Sequence, residues 1–154
     1  MTWGGEGRPR FPPVRVFKST REKKMDIFAA FATDEKLEAE GKWFPLSKDA
    51  KVLVARSGNQ RYVSALRDKA KEAQLDLASG EEADQLAEEI LIDVMAETIL
   101  MGWKGITDKG AEVTYSVERA KAYLKIKDFR RKVQGFSENF EAFRLKAEAE
   151  QGNA

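Results

Sequence analysis

The chain reads as a mainly α protein: a small helical domain of about four to five helices, with a short β-hairpin near its N-terminal third. Three observations predict this. Apolar residues Ala83, Leu86, Ala87, Ile90, Leu91, Val94, Met95 and Ile99 recur at helical three-to-four spacing. Phe129, Val133, Phe136, Phe140, Phe143 and Ala147 alternate by four and three, a heptad-like seam. Val52 and Val54 alternate with Lys51 and Leu53 between polar turn residues, as in a short strand.

Taken in order, residues 1–24 hold three of the four prolines and show no periodicity. Seven basic residues against two acids give this stretch a net charge of +5, leaving a net of −4 for the rest of a chain whose total is +1. It is read as a disordered basic tail or a non-native N-terminal extension, with Met25 as the native start. No apolar stretch follows its positive charges, so it does not read as a secretory signal. A single helical domain is expected over 25–149 and a disordered C-terminus over 150–154.

Within that domain, Met25–Phe31 is a short apolar segment, and Asp34–Glu40 is a charged turn or two of helix stopped at Gly41. Trp43–Leu46 and Lys51–Arg56 are two short strands around a turn at Ser47–Ala50, expected to be the only substantial β structure. Two strands are marginal alone, so they must lie against helices. Asn59 is placed to cap a helix running from Gln60 to about Leu77, with Tyr62, Leu66, Ala70, Ala73 and Leu77 on one stripe. The Ser79-Gly80 link is short enough to make the next helix its antiparallel neighbour.

That next helix is the central one. Ser79 stands three residues before Glu82 in capping-box spacing, and acids crowd the first turn, where the helix dipole favours them. Beyond Asp93 the polar face thins, and Ile92, Leu100, Met101 and Trp103 add apolar surface off the stripe; such a helix is being enclosed. It is expected to end at Gly102–Gly105. Thr107-Asp108-Lys109-Gly110 is turn chemistry. Ser116 caps a further helix to about Ile126, and the last helix runs from Asp128 to roughly Ala149, with Gly135 interrupting it.

Composition narrows the function. The 154 residues carry no cysteine and no histidine. Disulfides, thiolate metal sites and cysteine nucleophiles are therefore absent, as are the usual general base and the commonest transition-metal ligand. Cysteine-free composition fits a reducing cytoplasm. No apolar run approaches the roughly 20 residues that span a bilayer. Phosphate-binding and dinucleotide glycine motifs are missing. Glu89, Asp93 and Glu97 share a helical face, but no second acidic cluster closes a cage for a hard cation. No catalytic residue, cofactor or metal site is expected, and the protein is read as a non-enzyme. Trp43, Tyr62, Trp103 and Tyr115 are read as structural anchors, and Phe136, Phe140 and Phe143 as the partner-binding edge of the last helix.

The segments GKWFPL, VLVARSGNQRYVSALR, EEILIDVMAETILMGWKGITDKG, VTYSVERAKAYLK and KDFRRKVQGFS, in that order from about Asp34 to Phe143, resemble the tail assembly chaperones of long-tailed bacteriophages and prophages. The resemblance implies a non-enzymatic protein of the host cytoplasm, not expected in the mature virion. Its implied partners are the tape-measure protein, whose apolar helical faces it would shield, and the tail-tube protein it would help recruit. Homo-oligomerisation through an uncovered Phe140/Phe143 edge is a further expectation, with the client displacing the second copy. Replacing both with aspartate is expected to abolish association and leave the fold intact. The alternative is a small helical nucleic-acid-binding adaptor using the basic arm and the 60–77 helix. Aromatics suited to base stacking are not interleaved with those basic residues, so nucleic acid is disfavoured.

Overall fold

The computed structural model describes residues 24–145. The basic tail up to residue 23, Ala147, Ala149 and the segment 150–154 lie outside the described residues. By contacts the chain divides into two compact units, one ending at Ala32 and one beginning at Thr33. The described part of the first holds one short helix, α1 (Ile27–Ala30), opened by Asp26, whose Oδ1 accepts from the amides of Phe28 and Ala29 at 3.1 and 3.4 Å.

The second unit is mainly α, as expected, with the hairpin in its predicted place. It opens with α2 (Glu35–Glu40), capped by Asp34, whose Oδ1 accepts from Lys36 and Leu37 N–H, each at 3.1 Å. Gly41 ends it at φ +94, against the Leu53 side chain and Val54 backbone. Strands β1 (Lys42–Pro45) and β2 (Lys51–Val54) pair antiparallel, and Val52 and Val54 face the core while Leu53 faces away.

Helix α3 (Gln60–Glu72) starts at Asn59, whose Oδ1 accepts from Tyr62 N–H at 2.9 Å. It stops short of the predicted end at Leu77. Gln74 adopts left-handed backbone at φ 54, and Leu75–Leu77 form a 3-10 turn. Helix α4 (Gly80–Thr98) is the central helix, but Ser79 makes no side-chain cap bond, which corrects the capping-box reading. Its first half is largely exposed; Ile90, Ile92, Val94, Met95, Ala96 and Thr98 in its second half are buried. Helix α3 packs beside it, Arg61 at the start of α3 donating to the Glu97 carbonyl near the end of α4 at 3.1 Å. The two therefore run antiparallel.

The central helix does not continue to Gly102. The chain switches to a third strand, β3 (Leu100–Lys104), which pairs antiparallel with β2 and makes a sheet of order β1-β2-β3. This corrects the expectation of a lone two-stranded β structure. The reason is backbone satisfaction: β2 is buried at Val52 and Val54, and β3 supplies partners to its second edge. Phe44, Val52 and Trp103 align across the three strands on the core side, and a register shift at Leu53/Val54 accommodates one extra residue.

After β3 the pair β4 (Thr107–Asp108) and β5 (Ala111–Glu112) forms a small hairpin. Lys109 and Gly110, at φ 52 and 88, are its two left-handed turn residues, the backbone that a tight hairpin requires. Helix α5 (Val117–Leu124) is capped by Ser116, whose Oγ accepts from Arg119 N–H at 3.1 Å.

Among the described residues, the predicted last helix, Asp128 to Ala149, is instead two pieces: α6 (Lys127–Ser137) and α7 (Phe140–Phe143). At the break, Ser137 Oγ donates to the Gln134 carbonyl at 2.6 Å, and Asn139 Oδ1 accepts from Ala142 N–H at 3.2 Å. These bonds compete with a continuous helix and start a new one. The turn carries Phe143 into the core, and Asp34 N–H donates to the Phe143 carbonyl at 2.9 Å, tying α7 to the start of α2.

Candidate partner-binding surfaces

Two aromatic groups organise the second unit. In one, the Trp103 ring lies 4.9 Å from Tyr115 in an edge-on arrangement and 5.3 Å from Tyr123, and Tyr123 lies 6.1 Å from Phe129. In the other, Phe44 stacks on Phe136 at 4.6 Å and meets Phe143 at 6.0 Å. Such pairs add roughly 0.5–1.5 kcal/mol each beyond the area they bury.

The residues read as anchors occupy different surroundings. Trp103 is buried at 7% exposure, and its Nε1–H donates to the Val113 carbonyl at 2.8 Å. The half-buried Tyr115 hydroxyl lies 2.7 Å from the Leu100 carbonyl and 3.2 Å from that of Ala96, across the helix-to-strand switch. Burial, and secondarily the charge of Glu118, raises its pKa. Tyr62 is also half-buried, its pKa raised by burial and secondarily by Glu138. Trp43 does not close the core: it stands on the outer face of the sheet, 37% exposed, with Lys51 and Lys104 over its ring.

The predicted edge at Phe136, Phe140 and Phe143 is corrected in its central point. Phe143 has 0% exposure, so it is core and leaves no uncovered edge there. Phe136 is half-buried against Phe44, and Phe140 is half-buried. The Arg56 guanidinium sits 5.7 Å from the Phe143 ring, and its Nη1 is the only buried side-chain nitrogen or oxygen without a hydrogen-bond partner among the described residues. The aromatic face offsets part of that desolvation.

Apolar surface does open elsewhere. A groove of about 390 Å³ is lined by Leu46, Trp103, Ile106, Tyr123, Ile126 and Phe129, with Thr107 and Asp108 as its polar members. It draws on the ends of β1 and β3, the start of the small hairpin, α5, the α5–α6 link and α6. Ile126, in that link, is 57% exposed, flanked by the exposed Lys125 and Lys127. Asp108 pairs with Arg119 at 3.5 Å, which leaves the groove floor apolar. A depression of about 420 Å³ along α4 is lined only by residues of that one helix (Asp84 to Leu91), so it brings no elements together.

Some charged side chains elsewhere are matched. Asp93 pairs with Lys121 at 3.5 Å and Glu97 with Lys69 at 3.4 Å, so the acidic face of α4 is partly neutralised. On the basic side of α3, Arg61 and Lys69 are drawn to Glu97, and Arg67 approaches Asp68 at 3.9 Å. Among the described residues no group of three or more His, Cys, Asp or Glu could hold a metal ion, and no helix is long and apolar enough to cross a membrane.

Sequence reasoning missed the groove because its residues come from separate stretches. Trp103, read as a structural anchor, was the one signal nearby. Ile126 fell at a helix boundary, where an exposed isoleucine carries no periodic signature.

These features define a small mainly α protein built around one half-buried helix and a three-stranded antiparallel sheet, with an apolar groove at their margin. The family model for the YdaY prophage protein matches residues 57–153, and the chain belongs to that family. It is thus a phage or prophage protein. Neither the curated proteins nor the solved structures contain a match.

Proposed function

We propose that this prophage protein is a tail assembly chaperone that acts without catalysis in the host cytoplasm. It holds an apolar helical face of the tape-measure protein and helps recruit tail-tube subunits. The observation that carries this reading is the apolar groove beside Ile126, joined to the resemblance running from Asp34 to Phe143. A groove of this shape suits an amphipathic helix, whose apolar side chains enter while its polar face stays in water. The edge at Phe140 and Phe143 is replaced in this reading by the groove, because Phe143 is already used by the core.

The test is co-expression of the full chain with the tape-measure protein of the same prophage. Ile126→Asp places a charge where the client's apolar side chains enter. It should lower client capture and client solubility by about tenfold or more, since burying an isoleucine is worth about 1.5–3 kcal/mol. The thermal midpoint should barely move, because Ile126 is mostly exposed. Undiminished capture by a folded Ile126→Asp protein would move the client site away from this groove.

A further inference from the structure

Two surface patches on the Thr33–Ala154 unit complement one another. The first is the outer face of the sheet. Trp43 lies opposite Leu53, and Leu53 opposite Gly102; Pro45 lies opposite Lys51, and Lys51 opposite Lys104. The register therefore sets two lysines beside one exposed indole, their Nζ atoms 5.3 and 4.8 Å from the ring centroid. Among the described residues neither ammonium has an ion-pair partner. The second patch leads into α4. Leu77 is 74% exposed, the most exposed leucine among the described residues. Asp76 precedes it, and Glu81 and Glu82 follow in the first turn of α4, all three exposed and without a cation partner among the described residues.

We propose that a second copy of this chain binds the Trp43 face, presenting its own Asp76–Glu82 segment. Leu77 rests on the indole and Leu53, and the carboxylates of Asp76, Glu81 and Glu82 meet Lys51 and Lys104. Each patch pairs an exposed apolar side chain with unmatched charge, and the two charges are opposite. Complementary potentials of this kind select partner and register. Helix α4, about 28 Å long at 1.5 Å per residue, lies between the acidic end and the start of β3. The two patches are thus separate surfaces, each free to engage another molecule. Nucleic acid would account for the two lysines of this face but not for the exposed Leu77 and the three carboxylates of the second patch, which repel phosphate. Exposed ion pairs are individually weak and screened by salt, so the association is weak and salt-sensitive.

The test is sedimentation velocity on the purified full chain over a range of concentrations. Association should be present at about 0.05 M salt and lost by about 0.5 M, where the screening length falls to a few ångströms. Lys51→Glu with Lys104→Glu, and separately Asp76→Lys with Glu81→Lys and Glu82→Lys, should each weaken association by about tenfold or more. Mixing the two reversed proteins should restore it, because each then offers a patch opposite in charge to the other's. All the substituted side chains are exposed, and far-UV circular dichroism establishes that each variant is folded. A wild-type chain that stays monomeric at low salt overturns the proposal. So does association that neither variant alters, or a mixture that fails to associate. Binding of a single-stranded oligonucleotide that the lysine reversals abolish, with no self-association, assigns the face to nucleic acid instead.

Discussion

Trp103 joins the sheet to α5 and also meets a polar need. Its ring touches Tyr115 and Tyr123, and its N–H satisfies the Val113 carbonyl. Trp103→Ala should cost about 3–5 kcal/mol in urea unfolding, the range for a large buried aromatic. Trp103→Phe keeps much of the packing but leaves the Val113 carbonyl without its donor. It should cost about 1–3 kcal/mol, and an equal loss for both variants would count against a role for the hydrogen bond. Tyr62 and Tyr115 give a pH signature. Burial raises both pKa values above 10.0, so the folded state retains protons that the unfolded chain releases. Their contribution is whole below pH 10 and is lost as pH rises through the folded-state pKa. Unfolding free energy should therefore fall in that alkaline window, and Tyr115→Phe should flatten the fall; a slope unchanged by the substitution would exclude Tyr115 as its source.

Among the elements, caps and glycines separate what local chemistry dictates from what the neighbours allow. Asn59 accepts from Tyr62 N–H, so Asn59→Ala should destabilise by about 1 kcal/mol. Ser79 makes no such bond, and Ser79→Ala should be nearly silent in the same denaturation assay. Gly135 lies in α6 with open space around it, so alanine there should stabilise by about 0.5–1 kcal/mol. Gly105 behaves oppositely. Its φ is +75, and a Cβ would collide with the Asp49 carbonyl oxygen in the β1–β2 turn. Gly105→Ala should lower the thermal midpoint sharply while Gly135→Ala raises it, a contrast that one melting experiment decides.

At the scale of the whole molecule, the aromatic residues of the last segment belong to the fold before they can belong to a partner. Phe143 reaches the core through the Ser137–Asn139 break, meets Phe44, and brings its own carbonyl to Asp34. Phe143→Asp should therefore unfold or severely destabilise the second unit, because it removes a fully buried ring and puts a carboxylate in its place in the core. This reverses the expectation that the Phe140/Phe143 double substitution leaves the fold intact. A folded, cooperatively melting Phe143→Asp protein would show instead that the segment detaches from the core at little cost. The proposed partner surfaces therefore centre on exposed side chains, Ile126 at the groove and Trp43 on the outer face of the sheet.

Features that depend only on neighbours along the chain were legible before any tertiary contact was known. Asn59 and Ser116 each cap the helix they were expected to cap, since a cap needs only a short polar side chain and the next two or three amides. The inward face of β2 was equally legible, because alternation at Val52 and Val54 is a local pattern. The absence of cysteine and histidine limits the available chemistry whatever the fold. Tertiary structure alone decided the rest. Leu100–Lys104 is a short apolar run that periodicity cannot divide between buried helix and buried strand, and the open edge of β2 made it a strand. The phenylalanine spacing of the last segment permits one long helix. The segment breaks at Ser137 because Phe143 gains a buried place beside Phe44, and a continuous helix could not bring it there. The groove arose from the same cause: its walls come from elements that meet only after β3 and the broken last helix take their positions.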